Sequence, residues 1–261
     1  MADTHTKEIL GGSSMSLAEH LDDLRRRLFF IIAGLFIAFV FCLFFSKFII
    51  GFIERPYVEA MKAIGEDTVL QVIAPTEGFT SYMEIAGVCS IVLSSPWIFY
   101  HLWMFISAGL YPKEKRYVYM AVPFSAFLFV AGALLFFFLI GPVTLKFFVL
   151  FNKEILGVRS IFTFSKYMSF IAIMMLVFGL SFQTPIAIFF LIKTGLITIT
   201  TFNKFRRYVI FGIVVISAAV TPGSDLFSLL ALSISLYLLF EMGVLIGYLS
   251  ERKKAKSENN G

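Results

Sequence analysis

Charge is what this 261-residue chain has little of: Asp, Glu, Lys and Arg together make up 15% of it, while 59% is hydrophobic. A soluble domain carries about 25% charged and about 45–50% apolar residues, so a water-exposed globule burying this much apolar surface is excluded. Cysteine is nearly absent: Cys42 and Cys89 both lie in apolar runs and read as small buried hydrophobes, not as a disulfide. The three histidines are scattered, with His5 in the tail, His20 ahead of the first apolar run and His101 close to Trp103. There is no metal-ligand spacing, no G-x-S-x-G elbow and no phosphate-binding glycine loop. Enzymatic chemistry therefore has no residues to carry it, and no metal, cofactor or nucleic-acid partner is expected. No internal repeat of the kind found in many solute transporters is visible either.

What the chain does have is phenylalanine, 33 residues of it, and a mean hydropathy of +0.87. Uncharged runs cover 28–46, 85–112, 117–145, 167–192, 208–224 and 226–240. A helix needs about 20 apolar residues to cross ~30 Å of hydrocarbon, so the first four runs are long enough and the last two are short. Pro222 and Gly223 in the stretch 221–225 separate the short pair and predict a helical hairpin there. The chain is thus read as an all-α, polytopic membrane protein of six transmembrane helices. The expected spans are about 28–50, 80–108, 117–142, 167–192, 207–220 and 226–249. They form a single domain over 15–250, with disordered polar tails at 1–14 and 251–261 and no cleavable leader. After Pro56, the residues Tyr57, Val58, Met61 and Ile64 share a helical face and predict a short separate amphipathic helix ending at Gly65.

Basic residues set the orientation. The N-terminal tail, 113–116, 193–207 and the C-terminal tail hold 15 of the 22 Lys and Arg, and the opposite side holds 7. The positive-inside rule then puts both termini in the cytoplasm.

Four polar features could carry function. In HLDDLRRRL at 20–28, helical spacing sets Asp22 against Arg25 and Arg26, and Asp23 against Arg26 and Arg27. This is either a self-paired amphipathic lead-in or an acidic contact for a basic ligand. In GLYPKEKRYV at 109–118, Glu114 stands among Lys113, Lys115 and Arg116 on the same membrane face. Two carboxylates on neighbouring helix ends would each receive one guanidinium as a bidentate pair. Gln183, in the fourth run just ahead of Pro185, is costly facing lipid and calls for an interhelical hydrogen bond or a wet cavity. Asp225 and Glu241, at the start and late in the sixth span, read as structural.

The motifs SLAEHLDDLRRRL at 16–28, SSPWIFYHLWMFISAGLYPKEKR at 94–116, FGLSFQTPIAI at 178–188, RRYVIFG at 206–212, TPGSDLFS at 221–228 and LFEMGVLIG at 239–247, in that order, resemble the TatC family of the twin-arginine protein translocase. The resemblance covers nearly the whole chain, residues 15 to about 250. It implies a concave, glove-like bundle of six helices that binds the twin-arginine signal peptides of folded cargo, and the basic tails and lack of a transit peptide favour a bacterial plasma membrane over a thylakoid. It also implies assembly with TatA- and TatB-type single-span partners, self-association in a receptor complex, and transport driven by the proton-motive force. The implied signal-binding residues are Asp23 and Glu114, with Arg25, Arg27, Phe105, Leu110 and Tyr111 around them and Asp22 as a neighbour able to share the role. Pro56 falls on a recurrent family proline. Two departures matter. Asp23 stands where the family usually has Glu, one methylene or about 1.5 Å shorter. Gln183 stands where many relatives carry an intramembrane Glu, and an amide cannot relay a proton. The rival readings are a secondary transporter of a small solute, which needs a midplane polar site, and an assembly protein with no ligand of its own.

Overall fold

The computed structural model describes every residue except 1–16, 111–114, 159, 196, 198, 222–225 and 259–261. The first helix, α1, runs unbroken over Leu17–Ile64, 48 residues. It absorbs both the charged lead-in and the segment after Pro56 that the sequence suggested was a separate helix. Pro56 removes one backbone donor, but the turns beyond it pack on protein. Tyr57, Ala60 and Met61 are buried, with the Tyr57 ring 5.3 Å from Tyr167 and 5.6 Å from Phe162. The Tyr167 hydroxyl donates to the Ile53 carbonyl at 2.8 Å, in the very turn the proline loosens. Tertiary packing thus keeps the helix continuous where local chemistry favoured a break.

Helix α2 (Glu77–Ala108) lies antiparallel to α1. Three contacts set the register: the Tyr82 hydroxyl donates to the Leu43 carbonyl, Trp97 Nε1 donates to the Phe30 carbonyl at 2.9 Å, and the His20 and Phe105 rings stack at 4.4 Å. The end holding the α1 N-terminus is called proximal below, and the other distal.

The third crossing is one helical rod of 41 residues, Lys115–Ile155, longer than the 117–142 expected. It comprises α3 (Lys115–Leu135), a π-helical turn at Phe136–Ile140, α4 (Gly141–Leu150) and a second π turn at Phe151–Ile155. The first π turn sits just ahead of Pro142, whose ring would clash with the carbonyl four residues back in a regular helix. The Gly141 N–H bonds instead to the Phe136 carbonyl, five residues back. The fourth crossing is broken for the same reason. Pro185 cannot bond the Ser181 carbonyl, so α5 (Phe164–Ser181) ends and α6 (Thr184–Lys193) begins after a two-residue step.

Helix α7 covers Ile199–Val220. Its uncharged part after Arg207 has a length of only about 20 Å at 1.5 Å per residue. Among the described residues, five helical segments are long and apolar enough to cross a membrane, and α7 is the sixth, shorter one. Helix α8 (Leu226–Glu258) is not short. Glu241 ends the uncharged run without ending the span, because Arg206 of α7 donates to its carboxylate at 2.8 Å. The helix then continues through 258, so the tail expected to be irregular from 251 is helical to that point; the tail at 1–14 lies outside the described residues. Gly243 and Gly247 let α8 lie directly on α6: a Cβ on Gly243 would sit 2.9 Å from Pro185 Cα, and one on Gly247 2.3 Å from Ile192 Cδ1.

The main core gathers toward the distal end around Ile85, Phe136, Met168, Ile171, Met174 and Phe178, all buried. There the loops are tied across the bundle. Gln71 N–H donates to the Phe162 carbonyl at 3.1 Å, and Phe164 N–H to the Gln71 carbonyl at 2.8 Å. Lys153 Nζ caps the end of α1 by donating to the Ile64 carbonyl at 2.8 Å, and pairs with Glu66 at 3.3 Å. A second cluster of Phe99, Trp103, Val118 and Phe129 holds the proximal half together. Both cysteines are free thiols.

Candidate functional site

The candidate site is built where the start of α1 meets the end of α2. Below the stacked His20–Phe105 pair, Phe30 stacks on His101 at 5.6 Å, and Trp97 meets His101 edge-on at 4.5 Å. Gly34 makes room for this: a Cβ there would lie 2.5 Å from the Trp97 ring. His101 is only 8% exposed, and neither ring nitrogen has a hydrogen-bond partner among the described residues. It therefore packs as an aromatic plug between the two helices, in keeping with a core role. The contacts fix the first turns of α1 against α2, with His20 on Phe105 and Asp23 about one turn further along α1.

Of the two adjacent acidic residues, only Asp23 is half-buried; Asp22 faces outward. Arg27 Nε donates to Asp23 Oδ2 at 2.6 Å, with both side chains about one-fifth exposed. The i, i+4 alternative among those open to Asp23 is thus the one formed. Arg26 leans over the Phe30 ring, its guanidinium carbon 5.8 Å from the centroid, and Arg25 is exposed. Phe105 on α2 and Leu110 just past its end are half-buried, and the Leu110 N–H closes the helix end on the Ser107 carbonyl at 3.2 Å. Tyr111 and Glu114, in the link between α2 and α3, lie outside the described residues. The Lys193 ammonium, 5.7 Å from the Tyr117 ring centre, joins the end of α6 to the same proximal face.

The other polar candidates sit elsewhere. Gln183 Nε2 donates to the Ser125 carbonyl of α3 at 3.0 Å, and the Ser125 hydroxyl accepts from Trp103 Nε1 at 2.8 Å. The amide is thus held in an interhelical network at the α5–α6 step. Glu241 is held by Arg206, as described above. Pro56 is half-buried inside α1, and Asp225 lies outside the described residues. No group of His, Cys, Asp or Glu among the described residues could hold a metal ion.

Sequence reasoning missed one carboxylate. Glu84 of α2 borders the uncharged run 85–112, so counting runs trims it out of the span. Yet two residues before it Tyr82 bonds Leu43, which sets Glu84 about one turn inside the uncharged run of α1. Its Oε2 accepts from the Ser169 hydroxyl of α5 at 2.5 Å. The only signal for this was the register between helices, which a single sequence does not display.

With this geometry in hand, the likeness to known proteins is extensive. A family model described as Sec-independent protein translocase protein (TatC) matches residues 19–235. The Sec-independent protein translocase protein TatCy of Bacillus subtilis is 32% identical over 245 residues, covering 94% of this chain and 93% of its own length. TatC of Frankia casuarinae is 33% identical over 252 residues, covering 94% of this chain and 68% of its own. A crystal structure of the twin-arginine translocase receptor TatC matches with a TM-score of 0.78 at 30% identity, over 89% of this chain and 100% of that one. Sequence and fold agree, and the chain belongs to the TatC family of Sec-independent protein translocase proteins.

Proposed function

We propose that this multi-pass membrane protein is the receptor subunit of a twin-arginine translocase. It recognises the paired arginines of a signal peptide on folded cargo at the proximal face described above. The observation that carries the reading is Asp23, a half-buried carboxylate about one turn along α1 from the His20–Phe105 stack, in a chain of this family. Asp23 already holds Arg27, so a single incoming arginine exchanges one guanidinium for another with little net gain. A second carboxylate, Glu114, makes the exchange favourable, because two forks then form at once. Charge-assisted pairs strengthen in the lowered dielectric near the headgroups, and lysine keeps the charge but loses the fork. The apolar part of the signal lies along the helices beyond.

The excess of Lys and Arg at this end supports a cytoplasmic proximal face and cytoplasmic termini in a bacterial inner membrane. TatA- and TatB-type single-span proteins are the partners, several copies of the chain associate in the receptor complex, and the proton-motive force drives transport. The test is photo-crosslinking of a twin-arginine peptide to the purified chain in lipid nanodiscs. Asp23→Ala and Glu114→Ala each lower the yield sharply, whereas Asp23→Glu keeps it. Undiminished yield in both alanine variants sinks the assignment.

A further inference from the structure

One face of α1 at the distal end is unused by any of this. From residue 28 the uncharged run extends to 46, and 19 residues at 1.5 Å each cover about 28 Å, the thickness of the hydrocarbon layer. Lys47 is therefore level with the lipid headgroups. From here two rows run side by side at helical i, i+4 spacing, Phe44–Phe48–Phe52 and Lys47–Gly51–Arg55. With Phe45 they line a groove of about 460 Å³.

The chemistry of the groove is divided. Phe44 and Phe48 are 84% and 75% exposed at its apolar end, while Phe52 is fixed as a wall by stacking on Phe137 at 5.0 Å. Between the two cations, Gly51 is exposed and carries no side chain, and an added Cβ would project into open space. Helical side chains lean toward the N-terminus, which carries the Arg55 guanidinium back over Phe52, 5.7 Å from its centroid. Neither Lys47 nor Arg55 forms an ion pair among the described residues. Glu54 and Glu59, the acidic residues next to Arg55 on α1, are not within ion-pair distance of either cation.

We propose that this face binds an anionic phospholipid of the distal leaflet, its phosphate over the bare Gly51 backbone between Lys47 and Arg55 and an acyl chain along Phe44 and Phe48. A phosphodiester supplies the anion that two unpaired cations at this depth require, and its non-bridging oxygens suit both an ammonium and a guanidinium fork. A purely apolar partner helix would leave both cations unpaired, and free phosphate has no use for the aromatic row.

Native mass spectrometry of the full-length chain, titrated with phosphatidylglycerol or phosphatidylcholine, tests the site. The chain retains about one phosphatidylglycerol and little phosphatidylcholine. The Lys47→Gln/Arg55→Gln pair weakens retention about ten- to thirty-fold, since each basic residue near the surface contributes on the order of 1 kcal/mol. Gly51→Leu covers the open stretch between the two cations without touching either charge, weakens retention as well, and decides the matter should the double variant fail to fold. Equal retention of the two lipids, or undiminished phosphatidylglycerol on Gly51→Leu, overturns the proposal. So does a photo-reactive group at Phe48 that captures a protein, either a single-span helix or a second copy, in place of lipid.

Discussion

Asp23 illustrates how little separates a structural charge from one proposed for recognition. Its bond to Arg27 is the self-pairing that an i, i+4 helix delivers unaided, and only its half-buried position beside the His20–Phe105 stack distinguishes it from exposed Asp22. An incoming guanidinium displaces Arg27 from it, so truncation removes only the net of that exchange, about 1 kcal/mol of the ~1.5–3 kcal/mol that a charge-assisted bond carries. Asp23→Ala is therefore expected to weaken binding of a twin-arginine peptide about five-fold, measured by fluorescence anisotropy in nanodiscs. A peptide carrying one arginine should bind weakly to both the parent and the variant. Deeper in the bundle, the hydroxyl of Ser169 and the carboxylate of Glu84 form a polar contact where lipid or protein surrounds it. A double-mutant cycle on Glu84→Leu and Ser169→Ala, followed by denaturant unfolding in detergent, should return a coupling of about 0.5–1.5 kcal/mol. Additive single effects would show that the two groups do not depend on each other.

The helices show where local rules hold and where packing overrides them. Pro185 ends α5 and Pro142 forces a π turn, each as its missing donor and bulky ring require. Pro56 does neither, because Tyr57 and Met61 are locked beneath Tyr167 and Phe162. Helix α8 depends on its two glycines against α6. Gly243→Leu has no space to occupy next to Pro185, and overpacking of this kind costs about 1–3 kcal/mol. The expected outcome is a lower unfolding midpoint together with loss of an engineered disulfide between α6 and α8 that forms readily in the parent. Cross-linking at the parental rate would mean that the two helices do not pack this closely.

At the scale of the molecule, the two ends are built differently. The distal end is tied by backbone pairing of Gln71 with the 162–164 segment and by Lys153 on the last turn of α1. The proximal end carries the basic excess and the acidic site. Single cysteines placed at Lys115 and at Lys153, in a background lacking Cys42 and Cys89, should label from opposite sides of the membrane, with the residue-115 cysteine reacting only from the cytoplasm. Labelling of position 115 from outside the cell would turn the proposed recognition surface to the wrong compartment.

Much of this was legible in one dimension. The scarcity of charge, the length of the uncharged runs and the order of the motifs determined an all-helical, six-span membrane protein of this family. A bilayer admits almost nothing else for such a chain, since every buried backbone group must be satisfied within its own helix. The acidic residues of the lead-in to α1 were also visible, because helical spacing alone aligns them with arginines. Tertiary structure decided what depends on neighbours distant in sequence: that α1 runs through Pro56, that Glu241 is neutralised by Arg206 and lets α8 continue, that Gln183 bonds Ser125, and that Glu84 accepts from Ser169 across the bundle. Each turns on which group across the bundle satisfies a donor, an acceptor or a charge, and the chain meets those partners only once it has folded.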